Sequence, residues 1–148
     1  MDEPWVAGWS GGRFQIRETT ADIGVLAEAA SLPAAIGSAA AGMYHVMSPG
    51  AFEDRGRRLW IAEQADDLPL AVARTLQRLV IAFDTDGFVG AHGLASVYRG
   101  TSCRVTLELY GETFDPARHA QGVEIKAVTH HQITVDAAKG RVEVLLDV

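Results

Sequence analysis

From Phe88 to Val148 the chain reads as continuous β-structure, and this run constrains the fold more than any other feature. Strands are expected at about Phe88–Tyr98, Ser102–Gly111, Val123–Val135 and Arg141–Val148, with turns at Arg99-Gly100, Asp115-Pro116 and Lys139-Gly140. Successive strands joined by short turns form an antiparallel meander, and its apolar face must be covered by something else in the chain. The preceding residues supply the cover. Ser31-Leu32-Pro33 opens one helix, with a serine cap and a proline in the first turn, where a missing N–H costs nothing. Leu32, Ile36, Met43 and Met47 then recur at helical spacing, and Ser48-Pro49-Gly50 ends the helix. Asp66-Asp67-Leu68-Pro69 repeats the device, and Leu68, Val72, Leu76, Leu79 and Phe83 trace one face through four turns. The Asp84-Thr85-Asp86-Gly87 segment lacks the glycine and glutamate of a calcium-binding EF-hand loop, since Val89 and Ala95 stand at those places; it reads as the turn that ends this helix.

Phe14 and Ile16, then Ile23, Val25 and Ala27, alternate as strands before the first helix, and Arg57–Glu63 is a short strand between the two helices. The expectation is α+β: a single domain over residues 14–148, two helices packed on largely antiparallel β-sheet. Residues 1–13, with Trp5, Trp9 and three glycines, show no period and read as a flexible or loosely docked extension.

Composition narrows the function. A net charge of -6 with no cluster of four basic residues disfavours tight, direct gripping of nucleic acid, and suits docking on a basic partner protein. The single cysteine, Cys103, cannot form an internal bridge, and no stretch approaches a membrane span, so a cytoplasmic setting is expected. No Cys-X-X-Cys, His-Glu-X-X-His, glycine-rich phosphate loop or Gly-X-Ser-X-Gly elbow is present.

The candidate site is acidic. In the last strand Val142, Val144, Leu146 and Val148 share the apolar face, which leaves Glu143 and Asp147 on the polar side, with Asp147 next to the Val148 carboxylate. Lys126 can approach Asp147 if their strands are neighbours, either as a solvent-screened pair or as part of a site. Asp22, between Ala21 and Gly24, has two readings: a cap for a turn, or a ligand that joins Asp147, the Val148 carboxylate and backbone carbonyls around a hard cation such as Ca2+ or Mg2+. Three functional classes fit: a protein activator, a metal-dependent phosphodiesterase or nuclease, and a small-molecule-binding module.

Five blocks decide among them. Thr20-Ala21-Asp22-Ile23-Gly24, Phe83-Asp84-Thr85-Asp86-Gly87, the run Gly111 to His119 (Gly-Glu-Thr-Phe-Asp-Pro-Ala-Arg-His), Glu124-Ile125-Lys126-Ala127-Val128-Thr129 and the closing Leu145-Leu146-Asp147-Val148 resemble the archease family, in the same order and at compatible spacing. The resemblance covers about residues 14–148. It implies a non-enzymatic, chaperone-like activator of an RtcB-type RNA ligase, which joins RNA ends in tRNA splicing and RNA repair; the activator promotes guanylylation of the ligase and multiple turnover. It also implies a divalent-metal site on Asp22, Asp147 and Val148, holding Ca2+, or Mg2+ or Mn2+, with Lys126 engaging the ligase. The family commonly has histidine where Thr19 stands, tyrosine where His130 stands, and Trp and Glu where Thr75 and Arg78 stand, differences that bear on ligase docking.

Overall fold

The structure is a computed structural model that describes residues 3–19, 22–130 and 132–148. Thr20 and Ala21 of the first family block, and His131, lie outside the described residues.

Nine strands and two helices are present among the described residues, in the order β1 (Val6–Ala7), β2 (Arg13–Glu18), β3 (Asp22–Glu28), α1 (Leu32–Met47), β4 (Arg57–Ala65), α2 (Leu68–Asp86), β5 (Phe88–Arg99), β6 (Cys103–Thr113), β7 (Ala127–Val128), β8 (Thr134–Asp136) and β9 (Arg141–Asp147). The helices begin where the caps place them. The Ser31 hydroxyl accepts from the Ala34 N–H at 3.3 Å, and the Asp67 carboxylate accepts from the Leu70 N–H at 2.8 Å. Gly87 ends α2 in the left-handed conformation, φ 64°, with its N–H on the Ala82 and Phe83 carbonyls.

The strands form two antiparallel sheets rather than one. The first runs β1-β2-β3-β9-β7, with β8 also on β9; the second runs β4-β6-β5. Both helices lie between them: α1 packs on β2, β3 and β9 of the first sheet and β5 of the second, while α2 packs on β4 and β6 of the second and β7 of the first. Enclosure on both sides explains why α1 is buried nearly all round, alanines and glycines included. Ile36, Met43, Leu76 and Leu79 are fully buried in the single core this creates.

The expected strand Val123–Val135 is a correction. Among its described residues, only Ala127–Val128 and, from Thr134, the strand Thr134–Asp136 join a sheet. Upstream, the backbone donors are used elsewhere: the Gly122 and Val123 N–H groups donate to the Met47 and Val46 carbonyls at the end of α1, each at 2.9 Å. The Val128 N–H donates to Gln77 Oε1 of α2 at 2.7 Å. The expected alternation does not hold through this stretch, since Val123 is exposed and Val128 buried, and the main chain at its start caps a helix instead of extending a ladder.

The described part of the N-terminal extension is docked. Val6 and Ala7 pair with Phe14 and Arg13, and the Ser38 hydroxyl donates to the Trp9 carbonyl at 3.0 Å. The indole fills a slot floored by glycines of α1 and β5; a Cβ at Gly93 would lie 3.0 Å from Trp9 Cζ3 and one at Gly90 3.2 Å from Cη2.

Candidate functional site

The first sheet turns its apolar side to the helices and a polar side outward. Ile23, Val25 and Ala27 of β3 and Val142, Val144 and Leu146 of β9 are buried on the inner face, so Asp22 and Asp147 belong to the outer face. They are direct cross-strand partners: Asp22 pairs with Asp147 at one end of the β3–β9 ladder, as Glu28 pairs with Arg141 at the other.

Among the described residues, the other acidic side chains of β3 and β9 on this face, Glu28 and Glu143, are matched by arginine. Glu28 receives the Arg13 guanidinium at 2.8 Å and a close contact from Arg141, which together hold its carboxyl below the ordinary range. Glu143 receives Arg17 at 3.1 Å. Asp22 and Asp147 form no ion pair with any described residue, although like charges directly opposite one another in a sheet are destabilising.

The main chain holds both aspartates in place. The Thr19 hydroxyl accepts from the Asp22 N–H at 3.0 Å, and the Thr19 N–H donates to the Asp22 carbonyl at 3.0 Å. The turn-capping role expected of the Asp22 carboxylate therefore belongs to Thr19, and the carboxylate itself is left unengaged by described residues. On the other side of β9, Ala127 is the cross-strand partner of Asp147, and the Lys126 N–H donates to the Asp147 carbonyl at 2.7 Å. Asp147 is thus pinned from both flanks, one residue before the half-buried Val148.

Three of the four expected site residues, Asp22, Asp147 and Lys126, meet through backbone hydrogen bonds and register, and Val148 adjoins them by sequence. The exposed Lys126 ammonium makes no ion pair with a described residue, so the screened Lys126–Asp147 pair is not formed. No group of three or more His, Cys, Asp or Glu side chains is arranged to hold a metal among the described residues. The donor set suits a hard divalent cation nonetheless: two uncompensated carboxylates side by side, with the Val148 main-chain oxygens adjacent, are all oxygen donors. Of the family differences, Thr75 is fully buried, its hydroxyl donating to the Ala71 carbonyl at 2.8 Å, whereas Arg78 lies at the surface on Glu63 at 2.7 Å.

Sequence reasoning assigned no role to Glu112, which is 2% exposed on β6. One of its oxygens accepts from the Glu53 N–H at 2.6 Å; the other is 2.9 Å from Arg118 Nη1 and 3.3 Å from His119 Nε2. His119 in turn accepts the Asp115 N–H on Nδ1 at 2.8 Å. The signal was the Gly111–His119 block itself, an acid and two bases flanking an Asp-Pro turn. The arrangement closes that turn over the end of β6.

Two antiparallel sheets around two helices, with paired carboxylates at the end of one sheet, define a two-helix, two-sheet α+β domain with an acidic edge. The chain belongs to the archease family: the model of the Archease protein family matches residues 14–148. Protein archease of Aeropyrum pernix is 30% identical over 143 residues, 93% of this chain and 98% of that one. The Sulfolobus acidocaldarius protein archease is 29% identical, covering 86% and 91%, and a protein archease-like of Drosophila melanogaster is 23% identical, covering 92% and 90%. The fold is that of the solution structure of Protein 1598 from Methanobacterium thermoautotrophicum, with TM-score 0.70 and 24% identity over 91% of this chain and 98% of that one. No helix among the described residues is long and apolar enough to cross a membrane.

Proposed function

We propose that this protein is a non-catalytic activator of an RtcB-type RNA ligase, promoting guanylylation and multiple turnover of the ligase through an acidic, divalent-metal-binding site on Asp22, Asp147 and Val148. Membership of the archease family supports the class of activity. One observation carries the site: Asp22 lies opposite Asp147 in register, with every other acidic residue of the β3–β9 outer face balanced by arginine.

Asp22, Asp147 and the main-chain oxygen of Val148 would hold Ca2+, or Mg2+ or Mn2+, and the ion would supply positive charge beside phosphate groups at the ligase centre. The chain's own contribution is positional. β3 and β7 fix Asp147 between them, and Lys126, anchored by its main chain, extends an exposed ammonium from the same strand end toward the partner.

Reconstitution with a cognate RtcB-type ligase, GTP and Mn2+ is the test. Addition of the protein should raise the guanylylated fraction and allow repeated ligation; Asp147→Ala and Lys126→Ala should fold normally and fail to do so. Unchanged guanylylation with the wild-type protein would sink the proposal.

A further inference from the structure

The second sheet has two edges, and they differ. β5 is interrupted by the register shift between Gly90 and His92, whereas β4 pairs with β6 through all nine of its residues, with no bulge and no proline. Edge strands are ordinarily broken by such devices, because an open row of N–H and C=O groups invites another strand. The open row can be placed here. Gly111, the cross-strand partner of Arg57, accepts the Arg55 N–H at 2.9 Å, so its carbonyl points toward β4; the odd-numbered residues of β4 therefore bond β6, and the even-numbered ones turn outward. The Gln64 carbonyl conforms, being reached from α2 by Arg74 Nη1 at 2.9 Å. Arg58, Trp60 and Ala62 keep outward main-chain groups that meet no partner among the described residues.

Two exposed apolar side chains flank this edge, one on each face of the sheet. Trp60, 59% exposed, stands on the outer face. On the inner side, Arg74 and Arg78 of α2 reach the Gln64 carbonyl and the Glu63 carboxylate, and Ile81, three residues beyond Arg78, continues their helical stripe. At the other end of β4, Arg57 Nη1 reaches the Asp86 carbonyl at 3.0 Å, so α2 runs antiparallel to β4 and Ile81, 45% exposed, lies level with the middle of the strand.

We propose that the protein forms a weak symmetric dimer through β4, joining two three-stranded sheets into one of six strands. A twofold axis at Trp60 pairs the free residues with one another: Arg58 with Ala62 of the second copy, and Trp60 with its own copy, through about six main-chain hydrogen bonds. On the inner face the same register sets Leu59 opposite Ile61, and Arg57, which has no ion pair with a described residue, opposite Glu63. Because α2 lies over β4 and β6 alike, its copy falls roughly 10 Å away, the distance at which helices pack, and Ile81 meets its own copy. A lone strand from another protein would cover the main chain and leave Ile81 in water; a second copy of this chain covers both. One strand pair and a few side chains make a small interface, hence a weak one. The dimer does not depend on the ligase reading, since the acidic pair lies on the other sheet.

The test is sedimentation velocity on the full chain from low micromolar to near-millimolar concentration, where the mass should rise from that of the monomer toward twice that value. Ala62→Pro removes an outward N–H, Trp60→Lys sets two ammoniums at the axis, and Ile81→Lys does the same between the helices; each should raise the dissociation constant at least about tenfold. Tyr98→Lys and Leu94→Lys, exposed on β5 away from this edge, should leave it unchanged. Circular dichroism checks the fold of each variant, and the surface changes Trp60→Lys and Ile81→Lys carry the test if Ala62→Pro unfolds. A monomer at every concentration overturns the proposal, as does growth beyond a dimer, or a dimer lost with Tyr98→Lys and Leu94→Lys and indifferent to Trp60→Lys and Ile81→Lys.

Discussion

Asp22 and Asp147 face each other across neighbouring strands, and no cationic side chain among the described residues pairs with either. Among the described residues an arginine stands beside Glu28 and Glu143 and none pairs with these two, and like charges opposite one another in a sheet are destabilising.

Removing either charge should therefore stabilise the metal-free protein. Asp22→Asn and Asp147→Asn are each expected to raise unfolding free energy by about 0.2–1 kcal/mol in urea without added metal. Millimolar Ca2+ should raise the melting temperature of the wild type and leave both variants unmoved. Destabilisation in either variant would show that the carboxylates make contacts the fold needs.

Glu112 predicts an acid-sensitive step. Burial favours its protonated form, but the Glu53 N–H, the Arg118 guanidinium and His119 outweigh burial and hold the carboxyl below its usual 4.5. A carboxylate depressed in the folded state contributes stability that is complete above the unfolded value and is lost as pH falls through the folded one. Glu112→Gln should cost about 1–3 kcal/mol at neutral pH and show a shallower decline below about pH 4.5. Urea midpoints across pH measure both, with Glu28, similarly depressed by Arg13 and Arg141, supplying the slope that remains.

Gly111 should tolerate no side chain. A Cβ there would lie 1.9 Å from the Val89 carbonyl oxygen and 2.9 Å from Gly90 Cα, both backbone atoms of the paired strand beside the register shift. Gly111→Ala is expected to destabilise by about 3 kcal/mol or more. Gly100→Ala, with nothing within 4 Å of the added Cβ, should change stability by less than about 0.5 kcal/mol.

Trp9→Ala tests the docking of the N-terminal segment. Emptying the glycine-floored slot between α1 and β5 should cost about 1–3 kcal/mol, less than a fully buried tryptophan because Trp9 is only half-buried. Limited proteolysis should then cut within residues 3–12 faster than in the wild type. Equal cleavage rates would mean that β1 alone holds the segment.

Local signals made much of this fold legible. Ser31 and Asp67 announced both helices because capping is a contact between residues three apart, and β5, β6 and β9 were visible in alternation on one chain. The division of strands between two sheets was not visible, since β3 pairs with β9 across more than a hundred residues and nothing local records that choice. Residues 123–135 misled for a related reason: side-chain alternation does not reveal that the Gly122 and Val123 N–H groups are drawn to the end of α1. In the site, Asp22 and Asp147 were legible as residues, and their meeting only as an expectation of family. The buried Glu112 went unread because a lone glutamate in a strand looks like any solvated one until Arg118 and His119 fold over it.

The position of β9 also bears on the order of events during synthesis. It is the last strand in chain order, yet it sits inside its sheet, between β3 on one edge and β7 and β8 on the other. β3 must therefore wait with an unpaired edge while everything between is made, which favours slow, late closure and transient adhesion to other nascent chains. A nascent product lacking residues 141–148 would have neither a finished first sheet nor the second carboxylate, so the acidic pair exists only once β9 has docked beside β3.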